Sequence, residues 1–545
     1  MAQKISTLAP FHVTIFRNLW LATRASNLGN LIQVVGASWL MMSLTTSSTL
    51  VSLVQAANTL PIVFLSLMAG ALADNFNRRT IMFYAQFFRM IASVFLAIFT
   101  LAGWISPLHL LIFTFLIGGF GALFNPPWQA TVSDIVPREQ IASAVTLNSV
   151  GFNLMRSVGP AIGGIIVAAW GASTAFILNA ISYFPLLSVL YFWKPNYKEK
   201  TLPRERLVGA MSDGVRYIMM SPHIINILIR AFLFGVGSIA IQALLPIIAR
   251  DQLGGSATVY GGLLGFFGLG AIFAGIINGW VRAHFRGETI VTLSFLGFAF
   301  SCVGLGLSHS ILLSHLILLP AGMSWVFALA LFNTNVQLSA PSWVLSRALA
   351  LYQTAAFGGM ALGSWIWGSF ADGYNTTISL FICAIFLIVG AFAGFKFRIF
   401  EVSTASSKPE NITQVPEIKL DLKLDDGPIL ITFHYQIDPK KIHHFYKLML
   451  IRRAHKISVG ARGWTLLRNL EKPDCWIESY HMATWIDYLR DNQRQTEKDI
   501  QLNTLLQKLN SSKDGMHIER MIEHHKIPKD YHDNKDIKAI IEPMQ

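Results

Sequence analysis

Residues 70–80 read GALADNFNRRT and separate two long apolar runs of the chain. Asp74 lies at the end of the first run, and Arg78 and Arg79 open the second. A short charged turn between two runs of lipid-spanning length is typical of a connection at a membrane surface. The stretch therefore indicates a chain that crosses a membrane and turns back.

Composition extends this interpretation to most of the chain. Of 545 residues, 53% are hydrophobic and only 13% are charged, about half of the roughly 25% charged residues of a soluble domain. Residues 1–400 hold 9 acidic and 21 basic residues, which gives +12 of the formal net charge of +13. The basic excess belongs to the apolar part and does not indicate a nucleic-acid partner. The nearly neutral remainder is typical of a water-soluble domain.

Several chemistries are excluded by what the sequence lacks. Cys302, Cys383 and Cys475 are far apart, so neither a disulfide framework nor a cysteine zinc site is expected. No G-x-x-x-x-G-K-[ST] phosphate loop is present, which argues against an ATPase. The first apolar run continues into a series of others and is not predicted to be a cleaved signal peptide. We therefore predict no catalytic residue, no metal and no cofactor.

Twelve apolar runs reach the length of about 20 residues that a membrane helix needs. The predicted spans are 17–44, 49–73, 80–103, 108–132, 142–170, 173–194, 222–249, 257–282, 289–308, 310–334, 346–371 and 376–398. This pattern predicts an all-α membrane protein.

Lysine and arginine are distributed unevenly between the connections. Those at one end of the spans hold most of the basic residues, among them Arg78, Arg79 and Arg138, whereas those at the other end hold only Arg250. Because basic residues favour cytoplasmic loops, the first set is predicted to be cytoplasmic. Both termini, and everything after residue 400, are then cytoplasmic as well.

The longest connection, 195–221, divides the spans into six plus six. Gly159 and Gly163 in the fifth span are matched 200 residues later by Gly359 and Gly363 in the eleventh, as expected for the internal repeats of transporters, although chance recurrence of glycine in membrane helices is the alternative. The predicted domains are an N-terminal bundle (1–194), a linker with an amphipathic helix (195–221), a C-terminal bundle (222–400), a second linker (401–427) and a cytosolic domain (428–545).

The turn at 70–80 resembles the loop signature G-x-L-A-D-x-x-G-R-R/K of the major facilitator superfamily, with Asn77 where glycine is usual. The segments 26–45, 144–164 and 347–368 resemble the transmembrane secretion effector family, which includes enterobactin exporters. The segments 427–438, 463–469 and 476–499 resemble the cytosolic extension of some members. The resemblance implies the major facilitator fold. It also implies an antiporter in the bacterial inner membrane that exports small molecules, typically siderophores or drugs, with proton coupling.

Charges near the turn predict a conformational latch. In the superfamily, the aspartate at the position of Asp74 is thought to meet the start of the eleventh span, which here lies near Arg347. Asp134 and Glu139 in the next cytoplasmic loop are further predicted partners for Arg78 or Arg79. The alternative is an ordinary cluster of basic residues with a turn-forming aspartate.

Several arginines are embedded in spans that contain no deep carboxylate. They are Arg24, Arg89, Arg156 and Arg230, and Arg156 lies near mid-membrane. An unpaired charge there costs at least about 2.5 kcal/mol and should face a partner or a wet cavity. We predict that the cargo is the partner of Arg156. Arg24 and Arg89 alternatively extend to the interface or bind backbone carbonyls, and the role of Arg230 is left open.

Polar residues at helical spacing extend this predicted cavity. The remaining predicted substrate-binding residues are Asn27, Asn30 and Gln33 in span one, Gln55 and Asn58 in span two, and Asn153 in span five. The alternative for each is hydrogen bonding that holds neighbouring helices together.

A cationic cavity suits an anionic cargo, because carboxylates match the guanidinium fork. The leading prediction is export of a siderophore-like chelator, with membrane lipid and protons as further partners. Three alternatives stay open: a multidrug efflux pump, a lysophospholipid flippase, and a bifunctional protein whose tail modifies the cargo. The arginines argue against the first, which should favour an acidic, aromatic-lined cavity.

The residues after 427 show a β-α-β-β-α-β pattern. Strands are expected at 429–437, 461–470, 475–484 and 516–522, and helices at 439–456 and 485–510. This order predicts a ferredoxin-like fold and resembles small monooxygenase-like domains, which often dimerise through their sheets. His434, His443, His444, His455 and His481 have no acid or cysteine at metal-ligand spacing, so a scaffold, dimerisation or regulatory role is favoured over catalysis.

Overall fold

The computed structural model of the chain describes two compact units, divided between residues 402 and 403. The described residues are 8–137, 140–194, 215, 218–219, 221–340, 344–399, 418, 420, 422, 426–493, 497–512 and 517–523. Most of the predicted amphipathic helix in the linker 195–221, and most of the linker 401–427, lie outside them.

The first unit, the body, is helical apart from its connections. Its helices are α1 (Thr14–Leu44), α2 (Ser48–Asn75), α3 (Arg78–Leu101), α4 (Pro107–Ile135), α5 (Ile141–Ser182), α6 (Phe184–Phe192), α7 (Pro222–Ile247), α8 (Ala257–His284), α9 (Gly287–Leu307), α10 (Ile311–Ser339), α11 (Leu345–Gly373) and α12 (Thr376–Phe392). Within the described part of the chain, nine stretches are long and apolar enough to cross a membrane.

Helix α5 contains a break that the sequence already suggested. Gly171 adopts φ +83° and ψ 170° inside the helix, a conformation that favours glycine over residues with a Cβ. The apolar stretch Ser143–Phe192 that contains it has 50 residues, more than twice the length that one crossing needs. The predicted boundary between the spans 142–170 and 173–194 lies at this break.

The body consists of an N-terminal half (α1–α6) and a C-terminal half (α7–α12). Inside the first half, α1 packs on α5 and α2 on α4; inside the second, α8 packs on α10 and α9 on α12. The two halves meet through two main helix pairs, α2 with α11 and α5 with α8. Any site between the halves is therefore lined by these helices and their neighbours.

The second unit, the tail, is a four-stranded antiparallel sheet covered by helices. Its elements are β1 (Ile429–Gln436), α13 (Ile442–Ser458), β2 (Arg462–Arg468), β3 (Cys475–Met482), α14 (Trp485–Gln493), α15 (Glu497–Leu509) and β4 (His517–Ile522). The strand order is β2-β3-β1-β4. Alternate residues of β1, such as Ile431 and Phe433, are buried in a core that includes Phe445 and Leu506 of the helices, as expected for a sheet with one covered face.

Two ion pairs lie inside the tail. Arg452 Nε is 2.6 Å from Glu478 Oε2, and Lys456 Nζ is 2.7 Å from Asp491 Oδ2, with all four side chains at most 9% exposed. Burial alone would lower the pKa of Lys456, but the charge of Asp491, the neighbouring Tyr480 and the hydrogen bond to Asp491 together outweigh burial, and the pKa is raised. Burial also raises the pKa of Tyr480 to about 12. Lys456 therefore stays charged and Tyr480 stays neutral at neutral pH.

Candidate functional site

Two arginines at the start of α3 are held by the ends of neighbouring helices. Arg78 Nη1 lies 2.5 Å from Asp134 Oδ2 in the last turn of α4. Arg79 donates to the carbonyls of Leu190 and Tyr191 at the end of α6, each at 2.6 Å. We call the end of the body that carries Arg78, Arg79 and Asp134 the basic face. Its contacts tie three helices of the N-terminal half together.

The other predicted latch residues are only partly described. Arg347 lies in the first turn of α11, the position that the latch requires. The side chain of Asp74 and the whole of Glu139 fall outside the described residues. The latch between Asp74 and the start of α11 therefore stays a prediction.

Arg24 is bound within the N-terminal half. It is only 7% exposed, and it donates to the carbonyl oxygen of Asn148 in α5 at 3.2 Å and to the Asn148 side chain at 3.4 Å. Its Cζ atom lies 5.2 Å from the centroid of the Trp20 ring. These contacts agree with the alternative prediction for Arg24, in which the arginine binds a backbone carbonyl.

Polar residues on α1 contact other helices of the same half. Asn30 Oδ1 accepts a hydrogen bond from Arg89 Nη2 at 3.0 Å, and the Arg89 Cζ atom lies 5.1 Å from the Tyr183 ring centroid. Gln33 accepts a hydrogen bond from Asn179. These are contacts of helix packing, the alternative that the sequence left open, and a role of these residues in cargo binding stays a prediction.

The remaining predicted cavity residues lie on α1, α2 and α5. Gln55 is 7% exposed, and Asn27 and Asn58 are half-buried. The side chain of Asn153 is outside the described residues. Their contact with a cargo also stays a prediction.

Arg156 reaches from the N-terminal half to the C-terminal half. It lies about 22 Å along α5 from Ile141, at a rise of about 1.5 Å per residue. Its Cζ atom is 4.7 Å from the ring centroid of Trp325 in α10 and 5.5 Å from that of Phe267 in α8. Within the described residues it forms no ion pair with a carboxylate. Its described contacts are therefore cation–π contacts across the interface between the halves.

Trp325 leaves a hydrogen-bond donor unused at this point. The side chain is 5% exposed, and its Nε1 atom has no hydrogen-bond partner among the described protein groups. A buried indole N–H normally has an acceptor. The site thus combines one guanidinium with one indole N–H, and both are donors only.

Close helix packing holds Arg156 at the interface. A Cβ atom on Gly268 of α8 would lie 2.3 Å from the Cα atom of Ser157, the residue after Arg156. A Cβ atom on Gly261 would lie 2.6 Å from the carbonyl oxygen of Pro160. Only glycine fits at such distances, so small residues let α5 and α8 touch along their backbones.

Arg230 has a fixed counter-ion, which corrects one expectation. The sequence suggested that no carboxylate answers the embedded arginines, but Arg230 Nη2 lies 3.2 Å from Glu288 Oε1. Arg230 Nη1 donates to the carbonyls of Gly390 (3.0 Å) and Ala391 (3.2 Å). The expectation was wrong because the partner lies on another helix: Glu288 is the second residue of α9, and Arg230 reaches it from α7.

A carboxylate of the C-terminal half caps a helix of the N-terminal half. Asp372, in the last turn of α11, accepts hydrogen bonds from Ser47 Oγ (2.8 Å) and from the backbone N–H of Thr49 (2.9 Å), and also from Ser48 N and Thr49 Oγ1. We call these four residues the Asp372 cap. It lies at the end of the body opposite the basic face, here called the opposite face.

A second contact joins the halves at the opposite face. Arg250 Nη1 donates to the carbonyl oxygen of Met42 at the end of α1 at 2.8 Å, and Arg250 also pairs with Asp251 at 2.6 Å. The sequence indicates Arg250 only as a charge in a connection, and it gives no role to Asp372. Their partners lie far away in the sequence, so no local pattern identifies them.

The body is a helical bundle of two packed halves with Arg156 between them, an architecture typical of multi-pass membrane transporters. A model of the family described as "Transmembrane secretion effector" matches residues 5–528, and the chain belongs to this family. The match includes most of the tail, and it confirms the predicted resemblance.

Similar proteins are transporters. The chain is 24% identical over 282 residues to the staphyloferrin A transporter of Staphylococcus aureus, and this match covers 50% of this chain and 70% of the relative. It is 27% identical over 312 residues to the enterobactin exporter EntS of Escherichia coli (56% and 73%). It is 23% identical over 404 residues to the multidrug efflux pump Tap of Mycolicibacterium fortuitum (71% and 96%).

The fold is also found in a solved transporter structure. A bacterial homologue of the human lysosomal transporter Spinster, in an inward-facing and occupied conformation, superposes with a TM-score of 0.57 at 14% identity, covering 72% of this chain and 98% of the homologue. The chain therefore shares the mostly helical fold of this transporter.

Proposed function

We propose that the protein is a secondary-active exporter that moves a small anionic metabolite, of the siderophore-like chelator class, out of the cytoplasm. The observation that carries this proposal is the position of Arg156. It is a guanidinium at mid-depth between the two halves, with aromatic rings and no carboxylate as its described contacts.

The energetics favour an anionic ligand at Arg156. Placing an unpaired charge in the membrane costs at least about 2.5 kcal/mol, and a desolvated cation–π contact returns about 2 kcal/mol. The two rings together can offset this minimum cost, but neither ring accepts the parallel N–H donors of the guanidinium fork as a carboxylate does. A cargo carboxylate would form two parallel hydrogen bonds with the guanidinium fork. It would also offer an acceptor to the unpartnered Trp325 Nε1.

The chelator class follows from this donor-only site. Carboxylate and catecholate groups are planar or chelating oxygen acceptors, and siderophore chemistry relies on both. The names of two relatives, a staphyloferrin A transporter and an enterobactin exporter, agree with such a cargo. We propose Asn153, Asn27, Asn30, Gln33, Gln55, Asn58, Arg24 and Arg89 as the further lining of the path.

We propose twelve crossings, in the two bundles 1–194 and 222–400. Nine apolar stretches support this number, since the 50-residue stretch is broken at Gly171 and supplies two crossings, and α1 and α11 (31 and 29 residues) supply two more. The basic face would lie on the cytoplasmic side of a bacterial inner membrane. Both termini and the tail would then be cytoplasmic.

Transport would proceed by alternating access, with proton coupling. In the described state the Asp372 cap and the Arg250–Met42 contact join the halves at the opposite face. These contacts have to break for the cargo to leave on that side. On the cytoplasmic side we propose that Asp74, Arg347, Arg78, Arg79, Asp134 and Glu139 form the corresponding latch.

We propose a ferredoxin-like tail that dimerises or regulates the carrier. The strand order β2-β3-β1-β4 and the element order β-α-β-β-α-β support this fold, because that order is the ferredoxin-like arrangement. The imidazoles of His434 and His517 lie on one face of the sheet around Glu519. No group of metal-ligating side chains was found among the described residues.

The test is export by cells that carry substituted Arg156. Arg156→Ala should abolish appearance of the cargo in the medium of iron-limited cultures, measured by mass spectrometry against a deletion strain. Loss of two charge-assisted hydrogen bonds, each about 1.5–3 kcal/mol, implies at least a 100-fold loss of cargo affinity. Arg156→Lys keeps the charge but not the fork, and should restore only part of the export.

Arg17→Ala is the matched control. Arg17 is exposed in the first turn of α1, so its loss removes the same charge away from the interface. Normal export by Arg156→Ala, at normal abundance in the membrane, would refute the proposed site.

A multidrug efflux pump is the second candidate. Trp325 and Phe267 beside Arg156 would also contact an apolar drug, and one relative is named as such a pump. An increase in the efflux of a lipophilic cationic dye by Arg156→Ala would favour this candidate, since the arginine repels a cation. Failure of both the dye and the chelator measurements to respond would reject the site for either cargo.

A further inference from the structure

The tail contains a cavity that the transport proposal does not use. It has a volume of about 130 Å³ and lies between the covered face of the sheet and helices α13, α14 and α15. The residues that matter for its chemistry are Phe433, Tyr480 and Arg520 from the strands and Arg452, Lys456 and Tyr488 from the helices. Its volume is close to the ~150 Å³ of a protein cavity that holds benzene.

The cavity wall is cationic. Arg452, Lys456 and Arg520 line it, and no aspartate or glutamate does among the side chains that the structure describes. The carboxylates of Glu478 and Asp491 lie behind the wall, where they pair with Arg452 and Lys456. Those two cations therefore have partners, and Arg520 is the one lining cation left without a carboxylate among the described residues.

Arg520 occupies a position that normally carries an apolar side chain. It lies opposite Ile431 in the register between β1 and β4, and Ile431 is fully buried. Because alternate residues of a strand share a face, Arg520 points to the covered side together with Ile518 and Ile522. Arg520 itself is exposed, because β4 is an edge strand of the sheet.

The described contacts of Arg520 use only part of its donors. Its Nε atom donates to the hydroxyl of Tyr488 at 2.6 Å, and its Cζ atom lies 5.6 Å from the centroid of the same ring. Its two terminal amino groups are not engaged in these contacts. Since Arg520 lines the cavity and is also exposed, these donors are available to an anion at the mouth of the cavity.

We propose that this cavity binds a small organic carboxylate with a ring-sized apolar body. Its carboxylate would accept from the terminal amino groups of Arg520, and its body would lie among Phe433, Tyr480 and Tyr488. The volume limits the part of the ligand inside the cavity to about one six-membered ring, with the carboxylate at the mouth of the cavity beside Arg520. This site is separate from Arg156 and does not depend on the transport proposal.

Benzoate is the probe for this site, and benzamide is its neutral isostere. Binding is measured by calorimetry on the full-length protein carrying Arg156→Ala, which removes the membrane-body arginine from the measurement. Hydrogen–deuterium exchange then locates the site. We expect benzoate to bind and to slow exchange in α14 and β4, and benzamide to bind at least tenfold more weakly.

Arg520→Gln should weaken benzoate binding at least tenfold, and Arg520→Lys should weaken it less. Arg462→Gln is the matched control, because Arg462 is exposed on β2 of the same sheet and does not line the cavity. Unchanged exchange in β1 and β3 of the benzoate-free variants shows that the tail still folds. The proposal is overturned if benzoate does not bind at 10 mM, if benzamide binds equally, or if Arg520→Gln binds like Arg462→Gln.

Discussion

The Asp372 cap gives a quantitative prediction about the closed opposite face. One carboxylate on α11 accepts four hydrogen bonds from residues 47–49, at the start of α2. Asp372→Asn keeps the shape but loses the charge and about two of the four acceptor contacts. Each lost hydrogen bond is worth about 0.5–1.5 kcal/mol, and the charge at a helix N-terminus about 0.3–1 kcal/mol.

The cap is exposed, so the lower half of these ranges applies. The substitution should weaken closure at the opposite face by about 1.5–2 kcal/mol, because solvent screens an exposed charge. Since about 1.4 kcal/mol is a factor of ten, the ratio of open to closed molecules should rise about 10- to 30-fold. Ser47→Ala removes one hydrogen bond and should produce a smaller shift in the same direction.

Double electron–electron resonance measurements of the distance between two spin labels test this prediction. Spin labels at Ala102→Cys and Ser310→Cys report the separation of the halves, since both positions are exposed at the opposite face; the native cysteines are replaced first. Asp372→Asn should increase the population of long distances, whereas Asp134→Asn at the basic face should not. Identical distance distributions for Asp372→Asn and its parent would refute the role assigned to the cap.

Two ion pairs supply the remaining predictions. Glu288→Gln leaves Arg230 buried without its counter-ion and should destabilise the body by about 1–3 kcal/mol, a range discounted because Glu288 is 23% exposed. Thermal unfolding measures this loss of stability. The double variant Glu288→Gln with Arg230→Met should recover most of the lost stability. Lys456→Met leaves the buried Asp491 without its partner and should destabilise the tail by about 3–5 kcal/mol, whereas the double variant with Asp491→Leu should not. Hydrogen–deuterium exchange of tail peptides measures both effects. Because the pKa of Lys456 is raised, its stabilising contribution is complete below about pH 10.4 and is lost only above it. The protection of tail amides from hydrogen exchange, corrected for the intrinsic exchange rate, should therefore be constant from pH 7 to 10. A decline in protection that begins near pH 8 would contradict the stabilising role assigned to the Lys456–Asp491 pair.

Helix positions in the body were predictable because a membrane leaves few alternatives. A lipid-exposed segment has to satisfy its own backbone hydrogen bonds, so an apolar run of sufficient length becomes a helix. The predicted run 257–282 and helix α8 (Ala257–His284) agree within two residues. The tail strands were predictable for a different reason: period-two burial, as in β1, leaves a readable alternation in the sequence.

Contacts between distant segments were not predictable from local patterns. Asp372 and Ser48 are 324 residues apart, and nothing near either residue indicates the other. The same holds for Arg156 with Trp325, since a chain with 14 tryptophans and 38 phenylalanines offers many equivalent aromatic partners. Depth along a helix identified Arg156 as a candidate, but only the packing of α5 against α8 selects its neighbours.

The four embedded arginines differ in which half of the body holds them. Arg24 and Arg89 contact groups of the N-terminal half, and Arg230 contacts groups of the C-terminal half. Each of the three moves together with its partners when the halves rotate. Arg156 alone among them has its described contacts in the other half, so its environment changes with the conformation.

This difference bears on how cargo binding could drive transport. A ligand shifts a conformational equilibrium only by its difference in affinity for the two states. An anion bound to Arg24, Arg89 or Arg230 would meet the same protein groups in both states and would shift nothing. An anion bound to Arg156 replaces the two cation–π contacts that join the halves, which are worth about 0.5–2 kcal/mol each. Binding there therefore changes the contacts between the halves and can shift the balance between the two states, which is what a transport cycle requires of its cargo.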